Sequence, residues 1–166
     1  KMGAELPSNM AQYEPRAAAF ENLAKGLGAQ LHTELALAVN QKLEPCDWKD
    51  WDRCWARCAL DLAIIHPTNE NAAAVDWKTG KPKSDDRQLA LQAAFIFRHY
   101  RHVNRVKSMF IWLQDASRME TLTFTREQEP LLWRQYLPVV RELTDAATFG
   151  NWPAKPSPST IYQAGV

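Results

Sequence analysis

The sequence predicts an α/β (α+β) fold, in which helices flank one mixed β-sheet, within a single domain at residues 1–150. Apolar residues recur at helical spacing in three long segments. Five shorter segments are apolar or alternating and are bounded by turn residues. The resulting order of helix, three strands, helix, two strands and helix suits a sheet covered by helices. Residues 151–166 are Pro-rich and are predicted to form an extended tail.

The first half of the chain is predicted to hold one helix and three strands. The helix covers residues 10–27 and ends at a pair of glycines. The strands cover residues 31–39, 55–65 and 72–77. The stretch HPTNEN between the second and third strands is a strong turn signal, so these two strands are expected to form a hairpin.

The second half is predicted to alternate helices with strands. An amphipathic helix covers residues 87–102, and residues 84–86 supply capping side chains before it. An apolar strand at 106–113 is followed by an alternating strand at 119–125, which is expected to pair with it. A final helix is predicted over 127–147, with Pro130 tolerated in its first turn.

Composition limits the class of protein. A chain of 166 residues that is 46% hydrophobic can bury the core of one domain. The net charge of +1 requires no nucleic-acid or membrane partner, although local charge clusters can still bind DNA. No apolar run is long enough to span a membrane. The odd number of cysteines indicates a reducing compartment and a cytoplasmic location, and Cys54 and Cys58 are interpreted as packing residues on one strand face.

Three charged side chains interrupt or end the predicted strands. Asp61 lies within the apolar segment CALDLAII, where a charge must be paired, face water or bind a metal ion. Asp76 and Lys78 are two residues apart at the end of the next strand, so they share a face. Two carboxylates can hold Mg²⁺ or Mn²⁺, and a lysine can stabilise charge on a phosphate. An ordinary Asp–Lys ion pair is the alternative, which the short pattern alone does not exclude.

Three motifs in order, ALDLAII, AAAVDWKTGK and RQLALQAAF, resemble the core of the PD-(D/E)XK nuclease superfamily in its RecB/Cas4-like, phage-type exonuclease branch. Members of that branch show an Asp in a strand, then Asp-Tyr-Lys-Thr-Gly, then a helix opening with Gln-Leu-x-Leu. Asp61 and Asp76 match the two acids, Lys78 matches the lysine and Gln88 matches the start of the helix. Trp77 replaces the usual tyrosine. Residues 31–114 carry the resemblance.

The resemblance implies a restriction-endonuclease-like sheet and a metal-dependent deoxyribonuclease. The implied activity is an exonuclease of recombination, repair or phage DNA metabolism, with Mg²⁺ or Mn²⁺ held by Asp61 and Asp76. Lys78 would assist the attacking water, and Gln88 would support the site. Glu34 matches an acid on the preceding strand and is either a metal ligand or a solvent-facing residue. The residues expected to contact DNA are Lys81, Lys83 and Arg87. Partners would be DNA, further copies of the chain, or recombination and replication proteins.

The chain also departs from the family pattern. Gln92 stands where relatives carry a tyrosine, and no helix shows the usual additional metal ligand, for which Glu14 or Glu21 could substitute. The tail stretch NWPAKPSPS resembles one that precedes a cysteine cluster in relatives, but no cysteine follows it, so no iron–sulfur cluster is expected. These departures favour an alternative, a nuclease fold without turnover that binds DNA or a protein partner.

Tryptophans cluster just before the strand that carries Asp61. Trp48, Trp51 and Trp55 fall within eight positions of one another in a stretch rich in aspartate. Such rings can stack on exposed bases. Packing into the core is the preferred interpretation, because large aromatic side chains contribute most when buried.

Overall fold

The computed structural model of the chain describes residues 14–80, 86–115 and 118–152. The predicted mixed α/β architecture is confirmed: a five-stranded mixed sheet is flanked by helices. The elements in chain order are α1 (Glu14–Leu27), β1 (Gln30–Asn40), β2 (Cys54–Ile65), β3 (Asn71–Lys78), α2 (Asp86–His99), β4 (Arg105–Trp112), β5 (Met119–Thr125), a 3-10 turn (Arg126–Gln128), α3 (Glu129–Arg134) and α4 (Leu137–Phe149). The five predicted strands agree with the observed ones to within one residue at each end.

The sheet follows the order of the chain, β1-β2-β3-β4-β5. Neighbouring strands are antiparallel except for β3 and β4, which are parallel from Asn71↔Arg105 to Lys78↔Trp112. Parallel neighbours require a long crossover, because the chain must return to the same end of the sheet. Helix α2 provides this crossover, so it lies beside the strands that it connects.

The two faces of the sheet pack against different helices. One cluster joins Ala24 of α1 to Leu62, Val75 and Met109 on the sheet. A second cluster joins Leu89 of α2 to Phe110 and Trp112. Successive strand residues point to opposite faces, so Val75 faces α1 while Asp76 faces α2. Asp76 of β3 therefore lies on the α2 side of the sheet.

The described residues fall into two compact units, within Lys1–Leu132 and Trp133–Val166 respectively. The sheet and helices α1 and α2 belong to the first unit, and α4 belongs to the second. The predicted extended tail lies outside the described residues from position 153 onward. Within the described part of the chain, no helix is long and apolar enough to cross a membrane.

The prediction of one continuous helix over 127–147 is wrong. A 3-10 turn and the short helix α3 come first, and α4 begins only at Leu137. Pro138 explains the interruption, because proline has no N–H to donate to the preceding turn and its ring clashes there. In the first turn of α4 the same residue is tolerated. Helix α4 ends at Gly150, whose φ of 65° suits glycine.

Arg126 closes the C-terminal end of α2. Its Nη1 donates to the Phe97 carbonyl at 3.1 Å, and its Nη2 donates to the Tyr100 carbonyl at 2.8 Å. Its Nε donates to the Val103 carbonyl at 2.9 Å. Carbonyls at the end of a helix have no donor within the helix, so the guanidinium supplies hydrogen bonds to several acceptors there, of which the Tyr100 carbonyl also accepts the Val103 N–H.

We expect Arg126→Met to lower the free energy of unfolding by about 2 kcal/mol, because it removes several hydrogen bonds from a charged donor. Methionine keeps an apolar stem near the Phe97 ring, so the loss reports mainly on the hydrogen bonds. Urea titration followed by circular dichroism measures the change. Arg141→Met, at an exposed position of α4, is the matched control and should stay within about 0.5 kcal/mol of wild type. Equal stabilities of the two variants would contradict the assigned role.

Candidate functional site

The site lies where β2 and β3 separate. Their ladder ends at Leu62↔Val75, yet β2 continues along β1 to Cys54 and β3 continues along β4 to Lys78. The next positions in this register are Asp61 and Asp76, so the two carboxylates stand opposite each other at the fork. Asp61 Oδ2 accepts the backbone N–H of Trp77 at 2.8 Å. The carboxylate thus replaces the strand partner that this N–H lacks, and it is held in place by that bond.

Asp76, Lys78 and Gln88 form a closed set of contacts on the α2 face. Lys78 Nζ lies 2.7 Å from Asp76 Oδ2 and donates to Gln88 Oε1 at 2.9 Å. Gln88 Nε2 donates to Asp76 Oδ1 at 2.6 Å. Gln88 occupies the first turn of α2, so the crossover helix brings it onto the end of β3. Three of the residues singled out from the sequence therefore touch one another directly.

Burial raises the pKa of Asp76, and the nearby charge of Asp61 raises it further. The hydrogen bond and the positive charge of Lys78 act in the opposite direction and lower it. The residue is only 8% exposed. A buried carboxylate beside a second one is stabilised by added positive charge, so the electrostatics of the fork favour binding of a cation.

The Lys78 ammonium faces both its polar partners and an aromatic ring. Its Nζ lies 4.5 Å from the centre of the Phe110 ring, which is buried in the cluster beneath α2. Among the described residues, Asp76 and Gln88 accept two of its three N–H groups. An ammonium carries three donors, so one remains for a substrate oxygen or a water molecule.

Gln92, which stands where relatives carry a tyrosine, adjoins Asp76 from the second turn of α2. The side chain is buried, and its Nε2 lies 3.5 Å from Asp76 Oδ1. Its Oε1 has no hydrogen-bond partner in the described part of the chain. A buried amide oxygen without a donor is costly, so this atom marks a place for a water or an ion-bound water. The signal in the sequence was its spacing, since Gln92 follows Gln88 by one helical turn.

Cys58 is a second neighbour that sequence reasoning did not assign to the site. Burial raises the pKa of its thiol to about 12, and the charges of Asp76 and Asp61 contribute to the rise. Cys46, Cys54 and Cys58 are all free. The thiol therefore stays protonated at neutral pH and adds no third negative charge to the fork.

Glu34 lies on β1 at the position that faces Asp61. The pairs Thr33↔Leu62 and Leu35↔Leu60 bracket it in the register. Its φ of 50° is left-handed, which is uncommon for a residue other than glycine. Its side chain is exposed. Glu34 is thus at the edge of the fork, where both predicted roles, metal ligand and solvent-facing residue, stay open.

The remaining predicted residues lie elsewhere. Lys81 and Lys83 fall outside the described residues, and Arg87 is exposed in the first turn of α2. Glu14 and Glu21 lie on α1, which covers the opposite face of the sheet, and Glu21 pairs with Lys25 at 3.8 Å. These two acids therefore do not complete the site. A cavity of about 480 Å³ is lined by Leu27, Asn71 and Arg105 among others, away from the fork.

The donor set at the fork fits Mg²⁺ or Mn²⁺. Asp61 and Asp76 supply the hard oxygen ligands that these ions prefer, and the unpartnered Gln92 Oε1 can accept from a metal-bound water. No group of three His, Cys, Asp or Glu side chains suited to a metal is found among the described residues. Mg²⁺ commonly uses one or two carboxylates and completes its shell with water and substrate phosphate. Two carboxylates therefore suffice for a site of this kind.

Comparison with solved structures gives a structural likeness, whereas comparison with protein families and curated proteins does not. No protein-family model matches the chain, and no curated protein matches it. A solved structure, described as the crystal structure of SSO0001, is similar at 14% identity with a TM-score of 0.41. The alignment covers 91% of this chain and 65% of that one, so this chain spans less than two thirds of its length.

Proposed function

We propose that the chain is a metal-dependent DNA nuclease that hydrolyses phosphodiester bonds as an exonuclease. The observation that carries this proposal is the meeting of Asp61, Asp76, Lys78 and Gln88 at one fork of the sheet. These are the residues that match the PD-(D/E)XK motifs, and the chain separates them by up to 27 positions. Two carboxylates and a lysine at one point have the chemistry that phosphate-ester hydrolysis needs.

Asp61 and Asp76 would hold the ion. Each Asp76 oxygen already accepts an N–H, but a carboxylate oxygen has further lone pairs for a metal. The Trp77 N–H donates to one Asp61 oxygen, and this bond fixes the orientation of the carboxylate and of its second oxygen. When bound, Mg²⁺ or Mn²⁺ activates water and neutralises negative charge on the phosphate.

Lys78 would act on the reacting phosphate. Its remaining N–H can donate to a non-bridging phosphate oxygen or orient the attacking water, and its charge offsets the charge that builds up as the new bond forms. Gln88 acts as a positioning residue, because its amide bonds Lys78 and Asp76 at the same time. The Phe110 ring beneath the ammonium limits its movement.

A DNA strand would approach the fork along β1 and β2. Ala36 and Ala59, which pair across these strands, are both exposed. Such an activity would serve recombination, repair or phage DNA metabolism. The expected partners are further copies of the chain or replication proteins. DNA as substrate and three free cysteines favour a cytoplasmic location, in a bacterial or phage-infected cell.

One observation favours a second candidate function, a nuclease fold that binds DNA or a protein without turnover. Both Asp76 oxygens are engaged by side-chain donors, and the described residues supply no third protein ligand. In that case the ion pair between Asp76 and Lys78 would take the place of a bound metal ion. The two functions differ in one measurable respect, since only the nuclease consumes DNA when Mg²⁺ or Mn²⁺ is added.

The test is cleavage of end-labelled linear duplex, single-stranded oligonucleotide and closed circular DNA in Mg²⁺, Mn²⁺ or EDTA. We expect wild type to degrade the linear substrates only with metal. We expect Asp61→Asn to reduce the rate more than 100-fold, because it removes a metal ligand and the charge that the ion requires. Asp145→Asn, an exposed acid in α4, should retain the wild-type rate.

Four results would contradict the proposal in different ways. Binding of DNA without cleavage in any metal would favour the binding module. Cleavage that persists in Asp61→Asn would exclude the fork as the active site. Absence of both cleavage and DNA binding would leave a partner-binding subunit. Rapid loss of closed circular DNA would replace the exonuclease assignment with an endonuclease.

A further inference from the structure

Trp51 is 77% exposed, which contradicts the predicted packing of this residue into the core. Its neighbours Trp48 and Trp55 are partly buried. The surrounding loop is polar, with aspartate, lysine and arginine on either side of the ring. An isolated aromatic ring in a polar loop is unlike an apolar docking patch for a protein, which joins several large side chains.

The loop holds the ring in a defined position. Asp50 N–H donates to the Asp47 carbonyl at 3.1 Å, and Cys54 N–H donates to the Asp50 carbonyl at 2.9 Å. Asp47 Oδ1 accepts the N–H of Lys49 at 2.7 Å, and Trp51 N–H donates to the Lys49 carbonyl at 3.0 Å. These bonds form two consecutive tight turns, so Trp51 is presented by an ordered backbone.

Arg57 supports one face of the Trp51 ring. The Arg57 Cζ lies 3.6 Å from the ring centre, within cation–π distance, and its Nε donates to the Trp48 carbonyl at 2.8 Å. The Trp48 carbonyl therefore holds the guanidinium against the loop, and the backbone of Arg57 is held in β2. Because the ring is 77% exposed, its other face is left open to solvent.

The Trp51 ring and the candidate active site both adjoin β2. Arg57, which lies beneath the ring, and Asp61 are four residues apart in this strand. Four residues of a strand span about 13 Å. Ala59 lies between them and is exposed. The distance along β2 between Asp61 and the Arg57–Trp51 pair is therefore one that a few nucleotides of single strand would span.

We propose that Trp51, backed by Arg57, is a stacking platform for an unpaired base of the DNA strand that reaches Asp61 and Asp76. The inference rests on the proposed function and deepens it, because it assigns a single-stranded segment as the substrate. Base stacking on an aromatic ring needs one free, rigid face, and the supporting guanidinium provides this rigidity. A base paired in duplex DNA has no free face, so the platform selects an unstacked strand.

The test is binding of a fluorescein-labelled oligothymidylate, followed by anisotropy in EDTA so that no cleavage occurs. We expect Trp51→Ala to weaken binding by about 5-fold to 100-fold, whereas Trp51→Phe should retain most of the affinity. Trp152→Ala removes another exposed tryptophan and should leave the affinity unchanged. Wild-type affinity in Trp51→Ala, or absence of oligonucleotide binding by wild type, would overturn the platform.

A second measurement separates this inference from the nuclease itself. Bis(p-nitrophenyl) phosphate is a phosphodiester without bases, so Trp51→Ala should hydrolyse it at the wild-type rate while losing activity on the oligonucleotide. Equal losses on both substrates would contradict the platform, since stacking affects only substrates with bases. If wild type cleaves neither substrate, the nuclease proposal fails, and Trp51-dependent oligonucleotide binding would still support the platform.

Discussion

Lys78→Met is expected to lower the rate of metal-dependent DNA cleavage by about 100-fold to 1,000-fold, the effect of removing one donor aimed at a developing charge. Methionine retains the length of the stem over Phe110 but carries no charge and no N–H. The rate under saturating metal and DNA measures the effect. Lys25→Met, on the exposed surface of α1, is the matched control and should keep the wild-type rate.

The same variant should also shift the pH dependence of any residual activity. Lys78 holds the pKa of Asp76 below the value that burial and Asp61 would otherwise impose. Without the lysine that pKa rises further, so the carboxylate ionises, and becomes able to bind metal, only at higher pH. A rate–pH profile in Mn²⁺ should therefore move its acidic limb to higher pH. Unchanged rate and unchanged profile would show that Lys78 takes no part in the reaction.

Asp76→Asn is expected to abolish cleavage and, without metal, to make the protein more stable than wild type at neutral pH. Because burial raises the pKa of Asp76 in the folded state, the folded protein binds this proton more tightly than the unfolded chain. Wild-type stability therefore falls as the pH rises from the unfolded pKa through the folded pKa, and the loss is complete above the folded pKa. Asparagine carries no charge and avoids that loss, while its side-chain oxygen can still accept from Lys78.

Thermal unfolding between about pH 4 and pH 8 measures this effect, since the ordinary pKa of aspartate lies at the acidic end of that range. The difference between Asp76→Asn and wild type should be largest at neutral pH and shrink toward the acidic end. Adding Mn²⁺ should raise the unfolding temperature of wild type but not of the variant. Asp145→Asn serves as the control. A variant that is less stable at neutral pH and still responds to Mn²⁺ would refute the assignment of Asp76.

Local sequence patterns predicted most of the elements because strand alternation, turn residues and helical spacing act over a few positions. The segment METLTFT alternates, and its predicted bounds at Met119 and Thr125 are the observed ones. Asp76 and Lys78 were expected to share a face because two residues of one strand always do. The prediction of one continuous final helix is wrong for an equally local reason, because Pro138 cannot stand in the interior of a helix and instead lies in the first turn of α4.

Other features depend on segments that are distant in the chain. Gln92 contacts Asp76 only because α2 crosses the end of β3, and Cys58 lies within the electrostatic influence of Asp61 and Asp76 only because these strands come together in the sheet. The spacing of Gln92 from Gln88 by one helical turn is the one local indication of its place. The short sequence around Cys58 does not differ from that of a packing residue. The same is true of Trp51, whose exposure follows from the turns of its loop and from the Arg57 side chain beneath it.

The order of the elements, the turns between them and the charged residues at the strand ends follow from the sequence. These features depend on backbone preferences and hydrophobic spacing, which neighbouring residues impose on one another. The point where the β2–β3 ladder stops follows from the folded chain, which places Asp61 opposite Asp76 and brings Gln88 onto Asp76. Strand register is set by hydrogen bonds and packing between distant segments, and a change of one residue would turn each acid to the other face of the sheet.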